Sequence, residues 1–149
     1  MPAAIRLLAV IFVAIYLVPT GAHFFELPNK MALSPPDYMI VQRIYAGWAL
    51  FGIAAFGALA FTLVHAVLVR QDRGAMALAL AALLLLVATQ VVFWVFTFPM
   101  NVASANWTVT PDNFEAARRQ WEYSHAASAI LTFVALILLV RSVRPASAP

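Results

Sequence analysis

Residues 75–100 read AMALALAALLLLVATQVVFWVFTFPM, an apolar run that Thr89 and Gln90 interrupt. A helix of about 20 residues crosses a hydrocarbon core of roughly 30 Å, so this run is long enough to span a membrane. Outward from it, three further apolar runs occupy residues 7–22, 44–69 and 126–140. The sequence therefore predicts an all-α fold, an integral membrane four-helix bundle.

The composition of the chain favours the same conclusion. Of its 149 residues, 64% are apolar and 10% are charged, whereas soluble domains contain about 45–50% and about 25%. We expect a single domain, residues 1–149, with spans at about 4–24, 40–69, 75–99 and 111–143. The net charge of +3 is too small to indicate a nucleic-acid partner. The absence of cysteine excludes disulfides, thiolate metal sites and cysteine nucleophiles.

Two of the spans need comment. The fourth is predicted to start at Thr110-Pro111-Asp112, because threonine caps helices, proline suits the first position and an acid favours the positive end of the dipole. No glycine or proline follows until Pro145, so the helix is predicted to be longer than the membrane is thick. Its first turns are therefore expected to lie outside the hydrocarbon. The first run also fits a signal peptide with cleavage near Ala22. We favour a span, because no polar domain follows it.

Basic residues predict the orientation, since short cytoplasmic loops are enriched in them. An even number of spans places both termini and the link between spans two and three on one side. That side carries Arg6, Arg70, Arg73, Arg141 and Arg144, and the other carries Lys30, Arg43, Arg118 and Arg119. We therefore expect both termini in the cytoplasm, and the opposite side is called outer below. The membrane is expected to be a bacterial inner membrane.

Polar side chains recur at helical spacing in the outer half of the predicted bundle. The stripes are Tyr16, Thr20 and His23; Gln42 and Tyr45; Gln90, Trp94, Thr97 and Asn101; and Arg118, Trp121, His125, Ser128 and Thr132. Polar groups in membrane helices face the bundle interior, a cavity or a partner.

Several of these polar and aromatic residues have a structural interpretation. Threonine and serine form hydrogen bonds between membrane helices, which we favour for Thr89, Thr97, Ser128 and Thr132. Tyrosine and tryptophan form belts at the interface, which we favour for Tyr38, Trp48 and Tyr123. Gly47, Gly52 and Gly57 are expected to permit close helix approach, and His65 is expected at the inner interface.

Two pairs of acid and histidine suggest chemistry. His23-x-x-Glu26 and Glu122-x-x-His125 each place two groups on one helix face, the spacing that di-metal sites in helical bundles use. The four residues together predict a transition-metal site. The alternatives are surface ion pairs with Lys30, Arg118 or Arg119, haem ligation by His23 and His125, and a role for these histidines as acid or base.

The second half of the chain resembles a family of four-span membrane proteins that includes the fungal anthrone oxygenases. The resemblance rests on residues 99–101 (PMN), Trp107, residues 111–119 (PDNFEAARR) and residues 121–125 (WEYSH). It implies a four-helix membrane protein that oxidises a hydrophobic, often aromatic, substrate with molecular oxygen. The residues it implicates are Asn101, Trp107, Arg118, Trp121, Glu122 and His125.

Two function classes follow. The first is an oxygenase-type oxidoreductase with His125, His23, Arg118 and Asn101 as catalytic groups; its substrate would contact Trp94, Trp107, Trp121, Gln90, Gln42 and Tyr45. The second is a non-enzymatic membrane subunit or a module that binds a small ligand or haem. Elemental analysis and an absorption spectrum distinguish the two classes, because a stoichiometric metal favours the first and a haem absorption band selects the haem-binding form of the second. No glycine motif for a nucleotide cofactor is present, and the sequence is compatible with an oligomer or a partner subunit.

Overall fold

A computed structural model of the chain describes residues 2–143, and over that range it is helical with no β-strand. The helices are α1 (Pro2–Met31), α2 (Pro35–Val41), α3 (Gly52–Leu68), α4 (Arg73–Val92), α5 (Phe98–Ala103) and α6 (Phe114–Ser142). Within the described residues, four helical stretches are long and apolar enough to cross a membrane: Ala3–Met31, Trp48–Leu68, Arg73–Ala103 and Phe114–Ser142. The predicted all-α membrane bundle is confirmed.

The four long helices form a ring in which α1 packs on α3 and α6, and α4 packs on the same two helices. The core between them is thin and consists mostly of small side chains: Ala9, Val13, Ala58, Ala82, Leu86, Ala135 and Leu139. Small residues let membrane helices approach closely, which strengthens dispersion contacts where no hydrophobic effect operates between them. Most large apolar side chains consequently face outward, toward lipid.

One glycine is essential to this packing. A Cβ built on Gly57 of α3 would overlap the ring of Phe12 on α1, and that ring stacks on Phe61 with centroids 5.1 Å apart. The expectation of close approach therefore holds at Gly57. Gly52 has open space around its Cα. Gly47 serves a turn instead, with φ at +85°.

The first helix continues past residue 24, its predicted end, through Pro28 to Met31. A proline removes one helix hydrogen bond, which a membrane helix tolerates when its neighbours satisfy the freed group. The extra turns place Lys30 seven residues after His23, on the same helix face. The side chain of Lys30 then reaches α6, and this tertiary contact is absent from the local sequence pattern.

The chain between α1 and α3 is irregular, although a continuous helix from about residue 40 was predicted. Ser34 caps α2, and two 3₁₀ turns follow at Gln42–Tyr45 and Trp48–Phe51. Gly47 separates the two turns, because its positive φ reverses the local direction of the backbone. The result folds Tyr38, Gln42 and Tyr45 against the outer end of the bundle.

A π-helical turn at Phe93–Thr97 interrupts the third span between α4 and α5. Such a turn adds one residue to a helical turn, so positions before and after it no longer share one stripe. Thr97 is buried, whereas 54% of Trp94 is exposed. The predicted stripe of Gln90, Trp94, Thr97 and Asn101 is therefore wrong as a single face.

The fourth span begins at Phe114 rather than at Pro111. Its N-cap is Asn113, whose backbone carbonyl accepts from the amides of Ala116 and Ala117. The predicted stripe on this helix is real. Arg118, Trp121, Ser128 and Thr132 are all buried, and His125 is partly buried.

His65 lies inside the bundle and not at the interface as predicted, with none of its surface exposed. Its Nε2 lies 2.9 Å from Ser142 Oγ, and that hydroxyl donates to the carbonyl of Leu139. In the tautomer that carries hydrogen on Nε2, the histidine ring donates to Ser142. This bond ties α3 to α6 at the inner end of the bundle.

Candidate functional site

Polar and aromatic side chains from α1, α2, the following 3₁₀ turn and α6 converge at the outer end of the bundle. We call this group the outer cluster, and it comprises His23, Glu26, Lys30, Tyr38, Gln42, Tyr45, Trp121, Glu122 and His125. Its members are far apart in the sequence: His23 and His125, whose rings are in contact, are separated by 102 positions. The tertiary fold alone brings them together.

A buried ion pair lies at the centre of the outer cluster. Lys30 Nζ lies 2.6 Å from Glu122 Oε1, and the side chains are 3% and 0% exposed. Tyr38 donates its hydroxyl to the same carboxylate oxygen at 2.7 Å. A buried charge requires a partner and further hydrogen bonds, because desolvation otherwise outweighs the attraction.

Gln42 closes these contacts into a ring. Its Nε2 donates to the Tyr38 hydroxyl at 2.5 Å, and its Oε1 accepts from Lys30 Nζ at 3.5 Å. The ring therefore runs from Lys30 to Gln42, Tyr38, Glu122 and back, and it ties α1 and α2 to α6. The second carboxylate oxygen of Glu122 is buried with no hydrogen-bond partner among the described residues.

Aromatic faces surround the ammonium of Lys30. Its Nζ lies 4.6 Å from the ring centroids of both Tyr45 and Trp121, and 5.3 Å from that of Tyr38. A cation within about 6 Å of an aromatic face is attracted by the ring quadrupole, most strongly where water is excluded. The cluster is therefore organised around one positive charge.

The two histidines of the cluster are in ring contact. The centroids of His23 and His125 lie 4.1 Å apart, and Trp121 packs against both rings, at 4.9 and 4.2 Å. His23 is buried, and its Nδ1 has no hydrogen-bond partner among the described residues, although Glu26 Oε2 lies 3.8 Å away. His125 is only partly buried. Of the two imidazoles, His125 is the more accessible.

Two phenols outside the spanning segments stay protonated in this setting. Burial raises the pKa of Tyr38 above its ordinary value, and the nearby Glu122 carboxylate raises it further. Burial also raises the pKa of Tyr45, whose hydroxyl donates to Glu26. Both therefore act as hydrogen-bond donors to carboxylates.

The connection between α5 and α6 covers the cluster from the outer side. Trp107 is buried there, with its ring 5.2 Å from that of Tyr38 and 5.6 Å from that of Trp121. Ala105, Asn106 and Trp107 have φ values of 47°, 54° and 61°. Three successive non-glycine residues in the left-handed region are strained, and such strain is found preferentially at functional sites.

Two predicted catalytic residues support the cluster from its edge. Arg118 donates to the carbonyl of Leu33 at 2.8 Å and to Glu115 at 2.6 Å, so its contacts fix a loop and an ion pair. Asn101 accepts from the indole nitrogen of Trp121 at 2.7 Å. Their observed contacts orient neighbouring groups.

Two predicted substrate contacts lie elsewhere. Gln90 donates to Tyr16 and Thr89 within the bundle. Trp94 points outward because of the π-helical turn, and it packs on Phe93 and Phe98 of its own span. The other four, Gln42, Tyr45, Trp107 and Trp121, belong to the cluster or cover it.

The geometry bears on the metal and haem interpretations. Among the described residues, no group of three or more His, Asp or Glu side chains is placed to hold a metal ion. Glu122 binds Lys30 and Tyr38 instead of completing such a set.

Two imidazoles that hold one metal ion from opposite sides would be separated by two bonds of about 2 Å each. Rings in contact at 4.1 Å leave no space for a porphyrin between them, so the residues do not fit haem.

Sequence reasoning missed two central residues. It treated Tyr38 as an interfacial aromatic and Lys30 as a basic residue of the outer side that could pair with the acids at the surface, whereas both are buried at the core of the site. One signal was present. Lys30 is the only lysine in the chain, while every other basic residue among the nine Lys and Arg is arginine.

No family model, curated protein or solved structure matches this chain.

Proposed function

We propose that the protein is a membrane oxidoreductase that oxidises a hydrophobic substrate with molecular oxygen at the outer cluster. The observation that carries this proposal is the contact between His125 and His23, 4.1 Å apart within a cage of aromatic rings. The resemblance of residues 99–125 to the anthrone-oxygenase family supports the same reaction class.

His125 is the proposed base. It is partly exposed on a helix that crosses the membrane, so a substrate dissolved in lipid can reach it. Neutral imidazole accepts a proton in the physiological pH range, which suits removal of a proton from an acidic C–H bond or a phenol. The ring of His23 packs against that of His125, with centroids 4.1 Å apart.

The proposed reaction needs no reductant. A methylene group next to an aromatic ring or a carbonyl becomes a ketone, with one oxygen atom entering the product and the other leaving as water (R₂CH₂ + O₂ → R₂C=O + H₂O). The base creates the electron-rich intermediate and oxygen accepts the electrons. The ammonium of Lys30 supplies positive charge beside the site, where negative charge develops on the substrate.

Oxygen uptake by the protein in detergent or vesicles tests this proposal. The substrates are lipid-soluble phenols and aromatic ketones with an acidic C–H bond, and product is identified by mass. We expect His125→Ala to lower the rate by about 10²–10⁴-fold. His65→Ala is the matched control, because it removes a histidine at the other end of the bundle. Full turnover by His125→Ala would exclude His125 as the base.

A second function is favoured by the closed hydrogen-bond ring of the cluster. A ring in which Lys30, Gln42, Tyr38 and Glu122 satisfy one another is also what a structural or partner-binding module requires. A non-enzymatic subunit would purify together with another membrane protein and consume no oxygen with any substrate. Affinity purification in mild detergent distinguishes the two functions.

We also propose a bacterial inner-membrane location with both termini in the cytoplasm. Lys30 and Arg118 on the outer side are buried in protein contacts, so we compare only the exposed basic residues of the two sides. The outer side exposes Arg43 and Arg119, whereas the side of the termini exposes Arg70, Arg73 and Arg141. The excess of exposed basic residues supports the cytoplasmic assignment of the inner side.

A further inference from the structure

The single lysine of the chain, Lys30, is buried in the outer cluster. Every other basic residue is arginine, including all those exposed at both ends of the bundle. Arginine provides permanent charge, whereas lysine also provides an amine that can form a covalent bond. A buried Lys30 at the centre of the outer cluster therefore indicates amine chemistry as well as charge.

We propose that Lys30 is a covalent site for a hydrophobic carbonyl compound, an aldehyde or ketone that reaches it from the membrane and forms an imine with Nζ. The proposal is separate from the oxidation proposed above, because imine formation needs no oxygen. The proposed acid–base reaction at His125 does not use the Lys30 amine to form a covalent bond. The present proposal gives that amine a class of substrate or ligand.

The surroundings of Nζ fit each step of this reaction. Glu122 Oε1, 2.6 Å away, takes one proton from the ammonium, and the amine adds to the carbonyl carbon. Glu122 returns that proton to the oxygen and then transfers a second proton from the nitrogen, so that the oxygen leaves as water. The balance is R–NH₃⁺ + O=CR′₂ → R–NH⁺=CR′₂ + H₂O, with the charge unchanged.

Conservation of charge matters because the site is buried. The protonated imine carries the same single positive charge as the ammonium, so Glu122 faces a cation both before and after the reaction. The faces of Trp121 and Tyr45, each 4.6 Å from Nζ, stabilise either cation. They also provide the apolar walls that a hydrophobic carbonyl compound requires.

A compound can reach Nζ only if the segments that connect the spanning helices move aside. Lys30 is enclosed, and its cover includes Tyr38 of α2 together with Trp107, which packs on Tyr38. Connecting segments move more readily than packed helices. The strained backbone at Ala105–Trp107 lies in this cover.

Reductive trapping tests the proposal. The purified protein in detergent is incubated under nitrogen with dodecanal and sodium cyanoborohydride, and peptides are analysed by mass spectrometry. We expect a dodecyl adduct on Lys30 in the folded protein and none at residue 30 in Lys30→Arg. The Arg119→Lys variant supplies an exposed amine as a control for reagent activity. An adduct at position 119 of that variant, with none on Lys30, overturns the proposal.

A second variant separates a built site from accidental labelling during unfolding. Glu122→Gln removes the proton acceptor and should slow adduct formation on Lys30 by at least about tenfold. The same change destabilises the fold, so labelling through transient unfolding would become faster. Faster labelling in Glu122→Gln therefore overturns the proposal. Anaerobic conditions keep this result independent of whether the protein oxidises any substrate.

Discussion

Lys30 Nζ and Glu122 Oε1 meet at 2.6 Å in a place that solvent does not reach, and this pair joins the end of α1 to the middle of the outer half of α6. The contact explains why α1 continues beyond Pro28. It also means that each charge depends on the other, because neither has water to replace its partner.

Removal of the lysine charge alone should therefore destabilise the fold strongly. We expect Lys30→Met to lower the free energy of unfolding by about 3–5 kcal/mol, because it leaves Glu122 charged and buried without its counter-ion. Lys30→Met combined with Glu122→Met should recover most of that loss. Denaturant unfolding in detergent measures both. A single variant as stable as the double variant would show that the pair does not hold α1 to α6.

The ion pair between Arg118 and Glu115 provides a matched control. Its N–O distance is also 2.6 Å, but the Glu115 side chain is 60% exposed. Exposed pairs contribute about 0–1 kcal/mol, so Glu115→Gln should change stability by less than that. Equal effects at Glu115 and Glu122 would contradict the role that we assign to burial.

The close approach of α1 and α3 makes a second prediction. Gly57→Ala would place a methyl group in steric overlap with the edge of the Phe12 ring, and we expect destabilisation of about 1–3 kcal/mol from overpacking. Gly21→Ala in α1 is the control, because a Cβ there meets nothing within 4 Å and alanine favours helix. It should be neutral or stabilising. Thermal unfolding of both variants checks the sign.

The strained cover of the outer cluster makes a third prediction. Ala105 has a φ of 47°, which costs an L-residue about 1–2 kcal/mol relative to glycine. After the extra freedom of glycine in the unfolded chain is subtracted, Ala105→Gly should stabilise the protein by up to about 1 kcal/mol. Ala116→Gly, on the exposed face of α6, should destabilise by about 1 kcal/mol. A loss of stability in both would argue against strain at Ala105.

The fold was predictable because the length of an apolar run is a local property of the sequence. The buried stripe of α6 was predictable for the same reason, since Phe114–Ser142 is one regular helix. The face of Trp94 was not, because a π-helical turn breaks the 3.6-residue period on which stripe analysis depends. Gly57 could be identified as a close-approach residue, but only the structure shows which side chain it approaches.

The candidate site was half predictable. The pairs His23-x-x-Glu26 and Glu122-x-x-His125 located it, since each lies on one helix face at the outer end. The partners of those groups could not be derived, because Lys30 lies beyond a proline and Tyr38 lies in an irregular connection. Both positions are set by contacts between distant segments. The rarity of lysine in the chain was the one usable sign.

The proposed orientation makes a fourth prediction, and the absence of cysteine in the chain makes it simple to test. Gln71 lies exposed in the inner link between α3 and α4, and Asn113 lies exposed just before α6. In intact spheroplasts, a membrane-impermeant maleimide should label Asn113→Cys and leave Gln71→Cys unlabelled until the cells are lysed. The two sites are exposed on opposite ends of the same bundle, so each controls for the reactivity of the other. The reverse pattern would place the outer cluster on the cytoplasmic side and any substrate would then reach it from the inner leaflet.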